Sequence, residues 1–452
     1  MSQLVRGLGL VGAASVNIAN MIGTGVFLKA RVMTCNVDTP GAVLFVWMLA
    51  GFLVVAGALS YAELAAMMPK AGGEYVFLRT CYGRLAGFLY GWTSILVSRT
   101  AAHAAQAVST AIFLNIVSGG KLLEGKLPLV SVCMVFLMTL LNFAKVTSTG
   151  VIMSIFTGIK VTLVVGVGAA AYFFADGNWM HYAMSNEGGA CAGVAEQARG
   201  GIAGFGAAML GALWGYQGWA NLAPMVEEIR DPGRNIPRAF LLATLVVGAV
   251  YVFANSSYFF ALTPTEIASV PLSSSVATEA LRKFLGDGAV RAVAACLTIS
   301  SLGALYAGIA TTMRIPYAMA GDGLFFRWFA HLSPNTSVPI RAALLTGTWI
   351  SLLALSGNYD RLTDYAVFAL CIFYTLNATA VLLLRRKMPA AGRPYRVSGY
   401  PYLTLLFIIL MSAILLNTLF TATLQSLIGL SFIALGVPFY RYWASRTPER
   451  QS

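Results

Sequence analysis

The chain has 452 residues, of which 58% are hydrophobic and 10% are charged, and its formal net charge is +13. This composition excludes an ordinary soluble globular protein and predicts an all-α polytopic membrane protein. The positive charge does not indicate nucleic acid binding, because the basic residues gather at the ends of apolar runs and not on one amphipathic face.

Twelve apolar runs are long enough to cross about 30 Å of hydrocarbon. In chain order they cover residues 7–33, 41–68, 84–118, 127–145, 148–174, 201–229, 235–262, 288–318, 339–356, 361–385, 401–420 and 422–444. Twelve crossings place both termini on one side of the membrane. Nineteen of the 30 Lys and Arg residues then lie on that side, against nine on the other. This excess predicts cytoplasmic termini and a multi-pass protein of the plasma (inner) membrane, whose first span serves as its own signal.

The first run contains a weak point at residues 22–27, where the sequence reads IGTGVF. Two glycines that flank a threonine weaken a helix, and unwound backbone at membrane depth must be buried in protein or line a water-filled cavity. Such a break is a candidate binding site, although Gly and Thr also serve close packing between membrane helices. N–H groups at the start of the half-helix after Gly23 would attract the carboxylate of an amino acid. Carbonyls near Ile22 and Leu213 would then accept from its ammonium group.

A second break is predicted in the sixth run, where residues 213–219 read LWGYQGW, roughly 193 residues after the first. The two halves of the chain therefore run in similar register, which predicts two five-span repeats over residues 7–174 and 201–386. Because five is an odd number, the second repeat enters the membrane upside down. Spans 11 and 12, over residues 401–445, lie outside the repeat. No loop is long enough for a soluble domain, so we expect one membrane transport domain over residues 1–452.

Four features lie at a similar depth in their spans when each residue adds 1.5 Å along the helix. They are Gly23, Lys160, Trp214 and the pair of Ser300 and Ser301. Broken helices that meet at the midplane of an inverted repeat indicate a secondary transporter rather than a channel or an enzyme. The candidate substrate-binding residues are Asn20, Ile22, Gly23, Thr24, Gly25, Leu213, Trp214, Gly215, Tyr216, Gln217, Gly218 and Tyr306. Trp214 is also the candidate gate, with core filling as the alternative. The candidate coupling or conformational residues are Lys160, Ser300 and Ser301.

Lys160 and Arg99 are the only charges deep in a predicted span, because all 17 Asp and Glu residues fall in loops or near helix ends. An ionisable residue inside the membrane indicates function. Lys160 either changes protonation during transport or acts as a static strut that donates to carbonyls at a helix break. We expect Arg99 to tie to helix-end carbonyls and His103, one turn further, to be a satisfied core histidine. The lack of a deep carboxylate favours a neutral amino acid as the substrate, although an aromatic face such as that of Trp214 also holds cations.

The six cysteines have no metal-type spacing, and we expect no metal, no cofactor and no catalytic residue. They are Cys35, Cys81, Cys133, Cys191, Cys296 and Cys371. Only Cys35 and Cys191 fall in loops that we place outside the cell, and whether they form a disulfide is left open.

Four segments carry a resemblance to a known family, and they are residues 22–27, 60–75, 227–239 and 393–397. With these in place, the chain resembles the amino acid, polyamine and organocation (APC) superfamily, especially its L-type amino acid transporter (LAT) branch. The resemblance implies a LeuT-like five-plus-five inverted repeat that holds an L-amino acid between the breaks of spans 1 and 6. It also implies that Trp214 gates the outer side. Lys160 matches a lysine at the place where sodium-coupled relatives bind an ion, which implies sodium-independent transport.

Two departures from this branch affect partners and substrate. Mammalian members join a single-span heavy chain through a cysteine in the loop after span 3, whereas residues 118–126 contain none. We therefore expect no covalent heavy-chain partner, and only an amino acid substrate and the lipid bilayer as partners. Asn20, three residues before Gly23, is similar to what the arginine/agmatine exchanger branch carries there, so an antiporter of cationic amino acids is an alternative function. A proton-coupled symporter and a non-transporting amino acid sensor are further alternatives.

Enzymes and channels fit the sequence less well. The three histidines, His103, His181 and His331, are far apart, and no pair of deep carboxylates is present. No polar ring typical of a selectivity filter is present either. We therefore expect a permease or exchanger that works by alternating access, in which spans 1, 2, 6 and 7 rock against spans 3, 4, 8 and 9.

Overall fold

A computed structural model describes residues 6–119, 126–144, 146–271, 274–356 and 359–446. Within these ranges the regular structure is helical, apart from one isolated bridge between Leu8 and Ile229. The helices are α1 Leu10–Met21, α2 Gly25–Val37, α3 Pro40–Met67, α4 Glu74–Tyr82, α5 Arg84–Thr93, α6 Arg99–Val117, α7 Leu127–Leu141, α8 Val146–Phe174, α9 Gly201–Gly215, α10 Pro232–Ala261, α11 Pro264–Ala268, α12 Val276–Thr312, α13 Arg314–Gly321, α14 Ile340–Ala354, α15 Tyr359–Lys387, α16 Tyr402–Thr421 and α17 Thr423–Ala444. A π-helical turn, Ser94–Ser98, joins α5 to α6.

The described helices are those of a multi-pass membrane protein. Eight are long and apolar enough to cross a membrane, and the bent pair of α1 and α2 makes a ninth. Three shorter apolar helices, α7, α9 and α14, lie where the sequence predicts further spans. Because length and composition alone qualify nine spans, the count of twelve and the inverted repeat stay predictions.

Local sequence explains where α3 begins. Pro40 occupies the first helical position, where its missing N–H costs nothing, and the Thr39 hydroxyl accepts a bond from the N–H of Ala42 at 3.4 Å. The rest of α3 is an almost uninterrupted apolar run. This run is helical because in lipid each backbone polar group must find its hydrogen-bond partner within the helix.

The core is built around α6, which packs against α7, α12, α14 and α15. Around it, α1 packs against α8, α10 and α12, while α2 packs against α9 and α3 packs against α10. The helices that carry the two predicted breaks, α1 with α2 and α9, are therefore held inside the bundle and not at its edge.

Cys35 and Cys191 form a disulfide, with their Cα atoms 5.7 Å apart. This pairing answers the question that the sequence leaves open. The segment that contains Cys191 is also held by backbone bonds, from Asn186 N to Asp38 O at 2.9 Å and from Gly200 N to Asn36 O at 2.8 Å. The connection before α9 is thus fastened to the end of α2.

At the opposite end of the helices, buried ion pairs join distant parts of the chain. Arg314 pairs with Glu228, and both side chains are almost completely buried. Glu63 accepts from Arg385 at 2.9 and 2.6 Å and from the backbone N–H of Val397 at 2.7 Å. The sequence places these acids near helix ends, but burial and pairing emerge only in the fold.

Candidate functional site

The first helix breaks where the sequence predicts it. α1 ends at Met21, α2 begins at Gly25, and the two axes differ in direction by 44°. The N–H of Ile22 still bonds to Ile18 O at 2.8 Å, whereas Phe27 and Leu28 bond to Thr24 O at 3.2 and 3.1 Å. The helical ladder therefore stops at Ile22 and restarts from Thr24.

The second break begins directly after Gly215, where α9 ends. The chain continues as turns, with bonds from Gln217 N to Trp214 O at 3.0 Å and from Trp219 N to Tyr216 O at 3.2 Å. Gly218 has φ +109°, and a Cβ there would lie 2.5 Å from the carbonyl oxygen of Asn20. Glycine at this position therefore allows both the backbone conformation and the contact with α1.

The two breaks touch each other through glycines. A Cβ added to Gly25 would lie 2.5 Å from the Cα of Gly215 and 3.5 Å from Cδ1 of Trp214. A Cβ added to Gly215 would run into the ring of Trp47 on α3. The start of α2 and the end of α9 thus meet at a distance that only glycine permits.

Tyr251 on α10 links the ends of α1 and α9. Its hydroxyl oxygen lies 2.8 Å from Met21 O and 2.9 Å from Gly215 O, and it donates to either carbonyl. Both carbonyls belong to the last turn of a helix, where no backbone N–H follows to bond them. Tyr251 therefore holds the two interrupted ends together.

Lys160 on α8 reaches the break of the first helix. Its ammonium donates to Ala19 O at 2.6 Å and to Ile22 O at 2.7 Å, and its side chain is completely buried. One turn earlier on α8, the Thr157 hydroxyl donates to Ser15 O at 2.8 Å. The geometry matches a strut to exposed carbonyls, one of the two roles that the sequence suggests. The change of protonation stays a prediction.

A buried polar chain leads away from the breaks. The amide of Asn20 donates to Val16 O at 2.8 Å, and its oxygen accepts from Asn221 at 3.1 Å. The Asn221 oxygen accepts in turn from Arg99 at 2.5 Å, and Arg99 pairs with Glu74 at 2.7 Å. The prediction that Arg99 ties to helix-end carbonyls is wrong, because its bonds go to side chains, including the carboxylate at the start of α4.

His103 is a satisfied core histidine, as predicted. Its ring nitrogens lie 3.3 Å from Gln106 Oε1 and 3.1 Å from Thr312 Oγ1. A Cβ added to Gly308 would run into the imidazole, so α6 and α12 pack tightly at this point.

The remaining candidates lie on α12, which packs against α1, α6 and α8. Ser300 and Ser301 are buried, and the Ser300 hydroxyl has no partner within the described ranges. The carbonyl of Tyr306 accepts from Asn142 at 3.1 Å, and its buried ring lies 6.4 Å from that of Phe156.

All predicted residues of the two breaks are buried, including Leu213, Trp214 and Gln217. The Gln217 amide nitrogen is buried without a hydrogen-bond partner in the described part of the chain. The conformation is therefore closed over the breaks.

Comparison with known proteins identifies the family to which this chain belongs. The family model described as amino acid permease matches residues 8–440, which is nearly the whole chain. The chain belongs to the amino acid permease family. This finding agrees with the APC resemblance, which the sequence motifs carry.

Three curated relatives show which kinds of protein resemble this permease. The large neutral amino acids transporter small subunit 2 of Homo sapiens is 30% identical, over 97% of this chain and 81% of its own length. The serine/threonine exchanger SteT of Bacillus subtilis (strain 168) is 27% identical, over 97% of this chain and 96% of its own. The b(0,+)-type amino acid transporter 1 of Mus musculus is 26% identical, over 97% and 88%.

The sequence alone does not identify several residues that organise the candidate site of this permease. Tyr251 lies within an apolar run, and nothing in the local sequence distinguishes it from an aromatic core residue. Asn221 follows the second break by only a few residues, which is a usable signal, because a polar residue beside a break has unpaired backbone to bond. Glu74 lies in one of the segments that carry the resemblance, but nothing in the sequence near it indicates its pairing with Arg99, which is 25 residues away.

Proposed function

We propose that this permease exchanges a neutral L-amino acid across the plasma membrane by alternating access, without sodium. One observation carries the proposal. The start of α2 and the end of α9 meet at Gly25 and Gly215, so the start of one half-helix and the end of another face one buried region. Interrupted helices that meet inside a bundle are the usual substrate site of secondary transporters.

The chemistry of an amino acid suits both helix ends. The N–H groups that begin α2 lack intrahelical acceptors and carry the positive end of the helix dipole, so they attract the substrate carboxylate beside Gly23, Thr24 and Gly25. Ile22 O and Leu213 O accept from the substrate ammonium. Ile22 O already accepts from Lys160, but a carbonyl oxygen has two lone pairs and accepts a second bond.

The charges of the buried region favour a neutral side chain on the substrate. Glu74 is completely buried, but Arg99 neutralises it. Asn20, which suggested a cationic substrate, has both ends of its amide bonded to Val16 and Asn221. A cationic amino acid would therefore find its counter-charge already paired, whereas Trp214 and Tyr306 offer apolar faces to a neutral side chain.

The place of Lys160 supports the proposed independence from sodium. Its ammonium lies 2.6 and 2.7 Å from two carbonyls at the end of a half-helix. Carbonyl oxygens in such a position otherwise coordinate a small cation. A resident positive charge therefore takes the place of a bound sodium ion.

The proposed topology has twelve spans, with α7, α9 and α14 as the short ones, and both termini in the cytoplasm. Residues 7–174 and 201–386 form the inverted repeats, and spans 1, 2, 6 and 7 rock against spans 3, 4, 8 and 9, with Trp214 as the outer gate. The excess of Lys and Arg at one end of the spans supports this orientation.

The proposal has two further parts, which are that the permease exchanges amino acids and that it works without a covalently bound partner chain. One relative carries the name serine/threonine exchanger, which supports exchange over net uptake. Another carries the name small subunit, so that protein assembles with a partner. Residues 118–126 of this chain contain no cysteine that could bind such a partner covalently. The function is transport and not catalysis, and no cofactor takes part.

The experiment is exchange of labelled amino acids in liposomes that contain the purified permease. Uptake of a panel of neutral, cationic and acidic L-amino acids is measured with and without internal unlabelled amino acid. We expect uptake of neutral amino acids to require internal substrate and to persist when choline replaces sodium. Uptake driven by a pH gradient without internal substrate would indicate a proton symporter, and binding without counterflow would indicate a sensor.

A further inference from the structure

A cavity lies on the side of the bundle, beside the second break. It has a volume of about 660 Å³ and is bounded by α3, the end of α8 and α10. We call it the lateral cavity and define it by Met48, Phe52, Tyr172, Tyr216, Val252 and Ser256. Nothing in the proposed transport cycle uses it.

The lateral cavity opens towards the lipid. Met48, Phe52 and Leu245, which stand at its rim on α3 and α10, are 53%, 48% and 55% exposed. These side chains belong to two apolar spans, with mean hydropathies of 2.5 and 2.0, whose outer surfaces face hydrocarbon. The cavity is therefore filled from the bilayer and not from water.

One end of the cavity reaches the second break. Tyr216, the residue that follows α9, projects between α3 and α10 and donates to Trp47 O at 3.2 Å. A Cβ added to Gly51 or Gly248 would lie 2.6 or 3.3 Å from the Tyr216 hydroxyl. Small residues on both helices thus make room for this phenol, and any occupant of the cavity touches it.

The other end lies at the membrane interface. The Tyr172 hydroxyl donates to Ser256 Oγ at 2.8 Å, and the Tyr182 hydroxyl donates to Ser256 O at 2.6 Å. Trp179, which is 66% exposed, stacks on Tyr172 with ring centroids 5.9 Å apart. Exposed tryptophan beside tyrosine is typical of the boundary between hydrocarbon and water.

The length of the cavity matches one leaflet. Its lining on α10 runs from Thr244 to Ser256, which is about 18 Å of helix at 1.5 Å per residue. The hydrocarbon of one leaflet is about 15 Å deep, half of the bilayer core.

The residues that line the cavity determine which chemical class of ligand it binds. Of the described residues that bound the cavity, none is charged. The hydroxyl groups of three lining residues already have protein acceptors, since Thr244 donates to Phe240 O at 2.8 Å and Tyr216 and Tyr172 donate as described. The fourth hydroxyl, of Ser256, accepts from Tyr172. The cavity therefore has no counter-charge for a head group or for an amino acid, and its free surface is apolar.

We propose that the lateral cavity binds one acyl chain of a bilayer lipid, with the ester end beside Tyr172 and Ser256 and the methyl end against Tyr216. The bound chain packs on the residue that starts the second break.

Photolabelling with the complete permease in liposomes tests this binding without any amino acid present. Two phosphatidylcholines carry a diazirine, one near the methyl end of an acyl chain and one near its ester. We expect the methyl-end probe to label residues around Gly248 and Val252, and the ester-end probe to label residues around Tyr172 and Ser256. The same labelling pattern for both probes would overturn the proposed orientation.

Substitutions distinguish a bound chain from ordinary lipid contact. Val252→Trp fills the cavity and is expected to abolish its labelling, whereas Leu242→Trp, on the lipid-exposed side of α10, leaves it unchanged. Ala249→Phe, at an exposed position of the rim, serves as a second filling variant if Val252→Trp does not fold. Labelling of the cavity that survives in a folded filling variant would overturn the proposal. Labelling of the cavity that is no stronger than labelling at Leu242 would overturn it too. A failure of amino acid exchange would leave this result unaffected, because no transport is measured.

Discussion

The ammonium of Lys160 lies 2.7 Å from the carbonyl oxygen of Ile22, the residue at which the first half of the first span ends. A buried cation thus satisfies backbone that a broken helix leaves open, at membrane depth, where no water replaces it. The same carbonyl oxygen is the one to which we expect the substrate ammonium to donate a hydrogen bond. The structure of the break and the binding of the substrate at the break therefore both depend on the side chain of Lys160.

Lys160→Ala is expected to abolish exchange or to change its asymmetry between the two sides of the membrane. The variant leaves Ala19 O and Ile22 O without a donor, which costs about 2 to 3 kcal/mol because the lost bonds involve a charge. Thr157→Val is the matched control, since it removes a neutral bond from the same helix to Ser15 O, worth about 1 kcal/mol. Exchange is measured from both sides in liposomes. Unchanged kinetics in both directions for Lys160→Ala would assign the lysine a purely structural role.

Tyr251→Phe is expected to lower the exchange rate while the permease stays folded. It removes the hydroxyl that bridges Met21 O and Gly215 O, at a cost of about 1 kcal/mol. Tyr258→Phe on the same helix removes a buried hydroxyl that has no partner among the described residues, so it should leave exchange unchanged. If the two variants exchanged equally well, the link between the two helix ends would have no role in transport.

Glu74→Gln is expected to lower the stability of the permease strongly. The substitution leaves the charge of Arg99 buried and unpaired, and breaking such a pair costs about 3 to 5 kcal/mol. Glu266→Gln breaks an exposed pair with Lys283, worth about 1 kcal/mol or less. The measurement is the temperature at which half of the detergent-solubilised protein is lost from the monodisperse peak. If both variants lost half of this peak at similar temperatures, the result would contradict a strong contribution of the buried pair to stability.

The disulfide predicts how many thiols react in unfolded, unreduced protein. Cys81, Cys133, Cys296 and Cys371 are free, whereas Cys35 and Cys191 are bonded. A maleimide reagent that adds a fixed mass is therefore expected to add four labels without reductant and six with it. Six labels without reductant would contradict the pairing. We also expect Cys35→Ser to lower thermal stability, because the bond closes a long loop in the unfolded chain.

Sequence alone predicts the helices and the first break of this fold well. Long apolar runs have few alternatives to helix at membrane depth, and Gly23 with Gly25 interrupts such a run in a recognisable way. The end of α9 is equally readable, because Gly215 and Gly218 interrupt a short segment, residues 213–219, that is rich in aromatic residues. These signals are local, so they need no knowledge of the fold.

Contacts between distant segments were not predictable. Whether Arg99 bonds to carbonyls or to a carboxylate depends on how the segment before α5 folds back into the bundle, and that segment begins with two glycines of positive φ, Gly72 and Gly73. Tyr251 bonds both helix ends only because α10 crosses them. The lateral cavity likewise depends on packing between α3, α8 and α10, which no single run of sequence encodes.

The central claim is that an amino acid binds between the two breaks, and Gly23→Val tests it most directly. A Cβ at Gly23 would meet only Gln106 Nε2, at 3.4 Å, and Met21 O, at 3.9 Å, so the variant is expected to fold. Gly211→Val on α9 is the control, since a Cβ there would meet only Met33 at 3.5 Å. The measurement is exchange of a labelled neutral amino acid against internal unlabelled substrate in liposomes. Our account predicts that folded Gly23→Val loses exchange while Gly211→Val keeps it, and normal exchange by Gly23→Val would contradict the assigned site.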